Sequence, residues 1–143
     1  MARNKLPRFK AFTKNTVGDF YVMDGCCTCC GAPHAEAPSL IQMSADDIDF
    51  DVNNSDTWSC YFKKQPSGEA EVKLAIDACE VSCMQAVRYG GSDPTIIQEF
   101  IRRGLPHLCD ALLPSDEEID RLRRITLEKG ESAFGFKFLF DNK

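Results

Sequence analysis

Cysteine is the residue whose number and spacing most clearly indicate chemistry in this sequence. The chain of 143 residues contains eight cysteines, four of them within the five residues of the segment CCTCC, 26–30. Neighbouring cysteines pair with each other poorly, because a disulfide needs Cα atoms about 4.4–6.8 Å apart and suitable Cβ directions. Thiolates that converge on a metal have no such difficulty. The pattern therefore favours a metal or cluster site over disulfides or buried free thiols.

The residues after this cysteine loop also suit a cluster. Cys27 and Cys30 have the spacing C-x-x-C, and the small residues Gly31 and Ala32 follow. Small residues let backbone N–H groups turn towards cluster sulfurs and offset their negative charge. A bare C-x-x-C also occurs in zinc sites and redox motifs, so the loop alone does not choose among these chemistries.

The wider loop resembles the cluster loop of single-cluster bacterial ferredoxins. In that family a strand leads into C-x-x-C-x-x-C, and an Ala-Pro pair follows on a short helix. Here Cys27 and Cys30 match the first two ligands, and Ala37-Pro38 matches the Ala-Pro pair. Pro33 stands at the third ligand position, so another thiolate must replace it or the cluster has only three irons. The segment CEVSCMQAV, 79–87, resembles the family's last ligand and following strand, but lacks the proline after the cysteine.

The resemblance, which covers residues 18–91, implies one [4Fe-4S] cluster, with [3Fe-4S] as the alternative. The ligands that we predict are Cys27, Cys30, Cys60 and Cys83. Cys60 is included because it is isolated in a strand-like segment, WSCYF. Its alternates are the loop residues Cys26 and Cys29, and the alternate to Cys83 is Cys79.

Buried thiols and zinc are the competing interpretations. Cys79 lies on the apolar side of a predicted helix, and Cys109 lies in the apolar segment HLCDALL, so both are expected to be core residues. A zinc ion held by four cysteines is the alternative to a cluster, with His34 and His107 as further possible ligands. The second cysteine pair, with Cys79-x-x-x-Cys83 spacing, departs from C-x-x-C and weakens the zinc interpretation.

The predicted fold class is α+β: a ferredoxin-like small sheet with short helices around the cysteine loop. Strands are predicted in GDFYVM (18–23), WSCYF (58–62) and AVRY (86–89), and a helix is predicted to begin after Ser67, with Ser67 as its cap. A single domain is predicted, with a cluster-binding core at 12–91 and a helical extension at 92–143. The extension should contain a helix at 95–103, a second helix capped by Ser115, and a final strand at 133–140.

Acidic residues are concentrated in one part of the chain. The first fifteen residues carry five Lys or Arg and no acid, whereas residues 15–62 carry eight acids and no Lys or Arg. Such a segment repels nucleic acid and steers basic partners. We therefore expect a protein partner, no nucleic acid, and contact through the exposed loop that contains Asp46, Asp47, Asp49 and Asp51.

No pattern of residues indicates an enzyme, because the two histidines are far apart and no nucleophile motif is present. No apolar run could span a membrane and no export signal is visible, so a cytoplasmic protein is expected. The blocks GDFYV, CGAP, CYFKKQP and RYGG resemble a bacterial group of ferredoxin-like proteins, some of which serve as immunity proteins beside secreted toxins. This resemblance implies a toxin inhibitor whose cluster is structural. The alternatives are a small acidic ferredoxin that serves a redox enzyme, and a zinc-stabilised binding module.

Overall fold

The computed structural model describes residues 6–128, and within them the chain alternates short strands with helices. The strands are β1 Phe20–Val22, β2 Ile41–Met43, β3 Cys60–Phe62 and β4 Val87–Tyr89. The helices are α1 Ala32–Glu36, α2 Gly68–Val81, α3 Pro94–Arg102 and α4 Asp116–Glu128. The predicted α+β class is confirmed.

The four strands form two small antiparallel sheets. In the first, β1 pairs with β4, with Phe20 opposite Tyr89. In the second, β2 pairs with β3, with Ile41 opposite Phe62. Every residue of β1 and β4 is buried, as expected for strands rich in aromatic and β-branched residues that are covered on both sides.

Aromatic rings connect the two sheets through the core. The ring of Phe20 lies 5.9 Å from that of Phe62 and 4.9 Å from that of Tyr89, measured between centroids. The ring of Tyr89 in turn stacks on Phe100 of α3 at 6.0 Å. Phe100 and Cys109, which lie in the predicted helical extension, belong to the same buried cluster as β1–β4. The core therefore contains residues from both predicted segments, 12–91 and 92–143.

The helix starts differ in how their backbone N–H groups are satisfied. The Ser115 hydroxyl accepts a hydrogen bond from the Glu118 N–H at 3.0 Å, which confirms Ser115 as the cap of α4. Ser67 does not cap α2 with its side chain, although we predicted it as the cap. Instead the Ser67 N–H donates to the Glu71 carboxylate at 2.8 Å, a contact like the acid's in a capping box but one residue further into the helix.

Several predicted boundaries shift, and one strand was missed. The predicted 95–103 helix is observed as α3, Pro94–Arg102. The segment after Pro38, for which no strand was predicted, forms β2. The final strand predicted at 133–140 lies outside the described residues. No helix between residues 6 and 128 is both long and apolar enough to cross a membrane.

Candidate metal centre

Three separate elements carry the cysteines predicted as ligands. Cys27 and Cys30 lie in the loop between β1 and α1, Cys60 opens β3, and Cys83 opens the turn after α2. Packing of α1 against α2 and of β1 against β3 and β4 brings these elements together. The loop turns sharply at Gly31, whose φ of 82° suits glycine, and α1 begins at the next residue. The fold thus gathers residues that are far apart in sequence.

The four predicted ligands meet as two thiol pairs. The Sγ atoms of Cys27 and Cys60 are 3.3 Å apart. Those of Cys30 and Cys83 are 3.6 Å apart. Each pair joins the cysteine loop to a different element, and all four donor atoms are sulfur.

Backbone N–H groups point at the first pair. The N–H of Cys60 donates to the Cys27 sulfur at 3.2 Å, and the N–H of Cys29 donates to the same sulfur at 3.3 Å. The Cys60 thiol and these N–H groups lower the pKa of Cys27 to about 5, against the opposing effect of burial. The same contact with Cys27, together with burial, raises the pKa of Cys60. The contact therefore favours a thiolate at Cys27 and a thiol at Cys60, whereas a metal requires both sulfurs to be deprotonated.

The second pair lies at the surface. Cys30 and Cys83 are both exposed. The N–H of Ala32 and the Cys83 thiol lower the pKa of Cys30, although slight burial opposes them. Beyond Cys83, Met84 and Gln85 both have positive φ, 58° and 56°, an uncommon conformation for non-glycine residues. This turn directs the chain from α2 into β4 and leaves the Cys83 thiol facing Cys30.

All four donors are sulfur, the ligand type of zinc and iron–sulfur centres, but the sulfurs lie as two separate pairs. Within the described part of the chain, no group of three or more His, Cys, Asp or Glu side chains has the arrangement of a metal site. Four thiolates around one zinc ion, each about 2.3 Å from it, would have sulfurs about 3.8 Å apart. An iron–sulfur cluster places iron and sulfide among its ligands, so the ligand sulfurs must lie farther apart than those around one zinc ion.

The alternate ligands occupy different environments. Cys29 is exposed in the loop with a φ of 59°, and burial with nearby Cys27 raises its pKa. Cys26 is half-buried and packs against the core. Cys79 and Cys109 are buried core residues, as expected, and burial is the main cause that raises the pKa of each, for Cys109 to about 12. Cys79 thus lies in the core, whereas Cys83, four residues later, contacts the thiol of Cys30 in the cysteine loop.

The predicted acidic contact segment is partly neutralised by a lysine. Lys14 Nζ lies 2.8 Å from carboxylate oxygens of both Asp47 and Asp49. Asp47 is further engaged by the Tyr61 hydroxyl at 2.9 Å and the Gln42 amide at 3.3 Å. Burial of Asp47 is outweighed by these partners, so its pKa is lowered. Asp47 therefore fixes the loop in place, while Asp46, Asp49 and Asp51 face solvent to a greater degree.

Exposed apolar side chains lie between these acids, a feature that the sequence analysis did not identify. Ile48 and Val52 are among the most exposed large apolar residues described, and Trp58 is 45% exposed. Trp58 contacts the ring of Phe50 at 5.9 Å and donates a hydrogen bond to the Asp51 carbonyl at 3.4 Å. The signal available in the sequence was the alternation DDIDFDV at 46–52, in which an acid precedes every apolar residue. We call residues 46–58 the acidic–apolar loop.

Comparison of the chain with protein-family models, with curated proteins and with solved structures gives no match.

Proposed function

We propose that this protein is an iron–sulfur-containing binding protein, an immunity-type inhibitor that neutralises a bacterial toxin by direct contact. The observation that carries the proposal is the meeting of Cys27 with Cys60 and of Cys30 with Cys83 across three elements. Two sulfur pairs that each join the cysteine loop to another element, with N–H groups directed at one sulfur, support thiolate ligation of a cluster. Two small antiparallel sheets around the cysteine loop are compatible with a ferredoxin-like scaffold.

The cluster would have a structural role in this proposal. When bound, it supplies metal–thiolate bonds among Cys27, Cys30, Cys60 and Cys83. The chain's own part is to place the sulfurs, to supply N–H donors from Cys60 and Cys29, and to keep Cys27 as a thiolate. Because Cys60 lies two residues after Trp58, ligation would also fix one end of the acidic–apolar loop.

The acidic–apolar loop is the proposed contact surface for a basic toxin. Contact surfaces combine apolar groups that exclude water with charges that steer the encounter. Ile48 and Val52 supply the apolar groups, and Asp46 and Asp51 supply the charges. An acidic rim of this kind favours a basic cleft on the partner and disfavours nucleic acid.

Iron and sulfide analysis tests the centre. Protein purified without oxygen should be brown, with broad absorption near 400 nm and with iron and acid-labile sulfide in stoichiometric amounts. Replacement by serine of Cys27, Cys30, Cys60 or Cys83 should abolish this absorption, whereas Cys29→Ser should retain it. A colourless protein with one tightly held zinc lost in the same four variants would favour the zinc-stabilised module, to which the Sγ–Sγ distances of 3.3 Å and 3.6 Å also point.

Binding kinetics test the function. Where the neighbouring reading frame encodes a secreted toxin, that toxin should bind this protein and lose activity. Asp46→Asn/Asp51→Asn should slow association and weaken its dependence on ionic strength, because fewer charges steer the encounter. Ile48→Ser/Val52→Ser should instead speed dissociation. Unchanged kinetics in both variants at full cluster content would contradict the loop as the contact surface.

Electron transfer is the second candidate, and the exposure of Cys30 and Cys83 favours it. A cluster held at the surface lies close enough to a docked redox enzyme to exchange electrons. Under this alternative the cluster should reduce and reoxidise reversibly and sustain turnover with a ferredoxin reductase. Sustained turnover, together with no effect on any neighbouring toxin, would replace the inhibitor proposal with an electron carrier.

A further inference from the structure

The two thiol pairs have a second chemistry besides metal ligation. A disulfide has an S–S length of about 2.05 Å, so the contacts at 3.3 Å and 3.6 Å need closures of only about 1.3 Å and 1.6 Å. Each pair joins the cysteine loop to a distant residue, so neither has the poor geometry of neighbouring cysteines. Closure at Cys27–Cys60 and at Cys30–Cys83 would involve different sulfurs, so the two bonds can coexist.

We propose that the metal-free protein is a substrate for oxidation by low-molecular-weight disulfides, and that it forms two disulfides, Cys27–Cys60 and Cys30–Cys83. The inference rests on the same four cysteines as the proposed function, but it requires no metal. It makes the metal-bound form and the disulfide form mutually exclusive states of one site.

Each bond forms by two successive thiol–disulfide exchanges. For the first pair, the Cys27 thiolate attacks one sulfur of oxidised glutathione, forms a mixed disulfide and expels one glutathione thiolate. The Cys60 sulfur then loses its proton to solvent, attacks Cys27 and expels the second glutathione. Two protein thiols are thereby oxidised by two electrons, and one glutathione disulfide is reduced to two glutathione thiols. The Cys30–Cys83 pair follows the same balance with a second molecule of oxidant.

Burial explains why these pairs react and others do not. Cys30 and Cys83 are exposed and Cys27 is half-buried, so the oxidant reaches one member of each pair. Cys60 is buried and serves as the second, resolving thiol. Cys79 and Cys109 are both buried, and neither offers the oxidant an exposed sulfur.

The sequence makes the bonds straightforward to map. Residues 15–62 contain no Lys or Arg, but Glu36 separates the cysteine loop from Cys60, and Glu80 separates Cys79 from Cys83. Trypsin together with a glutamate-specific protease therefore gives 15–36, 37–63 and 81–88 as separate peptides. After treatment of chelated, reduced protein with oxidised glutathione, we expect 15–36 linked to both other peptides, and four of the eight thiols free in denaturant.

Variants identify the partners. Cys60→Ser should lose the link to 37–63 and keep a glutathione on Cys27, because the resolving thiol is missing. Cys83→Ser should likewise lose the link to 81–88 and keep a glutathione on Cys30, and each variant should retain one bond and four free thiols. Cys29→Ser is the matched control and should keep both links. A bond within 15–36, a Cys79–Cys109 bond, intermolecular dimers or stable glutathione adducts in place of the two links would overturn the proposal.

Protection by metal separates this inference from the proposed function. If the iron- or zinc-loaded protein resists oxidation while the metal-free protein forms both bonds, both proposals stand. If the bonds form and no metal binds, the cofactor proposal fails and this inference survives. If metal binds through the four cysteines and the metal-free protein forms no such bonds, this inference alone is wrong.

Discussion

Asp110 is fully buried and is held by three donors from distant parts of the chain. Arg88 Nε donates to it at 2.7 Å, the Arg8 N–H donates at 3.0 Å, and the Tyr21 hydroxyl donates as well. Arg88 also donates to the His107 carbonyl at 2.6 Å and lies over the ring of Phe9 at 4.8 Å. A buried ion pair of this kind gives little net stability when complete, but removal of one partner leaves a charge unpaired.

Asp110→Ala should therefore lower the free energy of unfolding by about 3–5 kcal/mol. The cause is that Arg88 would remain buried without its carboxylate. Urea unfolding followed by circular dichroism measures the loss. Lys73→Ala, which removes the exposed Lys73–Asp77 pair at 3.5 Å, is the control and should leave the midpoint unchanged within error. Equal midpoints for both variants would show that the buried pair is not needed.

Burial of thiols gives the metal-free, reduced protein an alkaline pH dependence. Burial raises the pKa of Cys109 to about 12, whereas an unfolded thiol titrates near about 8.5. A raised pKa means that the unfolded state loses its proton first. Stability from this group is therefore complete below about pH 8.5 and falls as pH rises towards 12, by at most about 1.4 kcal/mol per pH unit.

Cys109→Ala tests this dependence. Its unfolding free energy should fall less steeply between about pH 9 and 11 than that of the unmodified protein. The difference between the two slopes should correspond to at most one bound proton. The lower stability expected from the small cavity does not affect the slope. Identical slopes would mean that Cys109 titrates normally in the folded state.

At the scale of elements, Lys14 links the chain before β1 to the acidic–apolar loop. Its ion pairs with Asp47 and Asp49 cross from one segment to the other, and these carboxylates raise its pKa. Lys14 also lies 5.8 Å from the ring centroid of Tyr61 in β3. The loop is thus anchored at Asp47 while the residues that follow remain exposed.

Lys14→Met should loosen the loop. We expect cleavage by an aspartate-specific protease within residues 46–56 to become about fivefold faster, as a loss of about 1 kcal/mol in local stability would produce. Lys10→Met is the control, since Lys10 is exposed and pairs with Asp24 at 3.5 Å outside the loop. No difference between the two variants would show that the Lys14 contacts do not hold the loop.

Local patterns predicted most of the elements, while contacts between distant residues could not be predicted. The aromatic runs at β1, β3 and β4 and the cap at Ser115 are local signals, and the structure contains all of them. β2 was missed because its sequence IQM lacks the aromatic residue that each of the other three strands contains.

The same contrast between local signals and contacts of distant residues applies to the side chains of the site and the core. Cys27 and Cys30 were predicted as ligands from their spacing in the sequence. The contact of Lys14 with Asp47 joins residues 33 apart, and no periodicity of the sequence predicts it. The pairing of Arg88 with Asp110 was likewise hidden, because charged residues are mostly exposed and sequence alone does not identify the exceptions.

For the whole molecule, ligation at the cysteine centre should be coupled to stability. The centre would join the cysteine loop, β3 and the turn after α2, which otherwise meet mainly through packing. A ligand that binds only the folded state stabilises it by about 2.7 kcal/mol at one hundred times its dissociation constant. The loaded protein should therefore melt several degrees higher than the chelated protein.

Calorimetry with and without chelator measures this difference, and Cys27→Ser supplies the control. In that variant chelation should have no effect on the melting temperature, because a ligand is already missing. An equal decrease in both proteins would place the stabilising metal elsewhere.

Trp58 is an intrinsic fluorescence probe of this protein. It is the single tryptophan of the chain, it lies partly exposed in the acidic–apolar loop, and it is two residues from Cys60. An iron–sulfur centre absorbs broadly and would quench its emission by energy transfer, whereas zinc, with a filled d shell, would leave it bright. A partner that covers the loop would shift the same emission towards the blue. One optical signal would therefore follow both the cofactor and the contact surface.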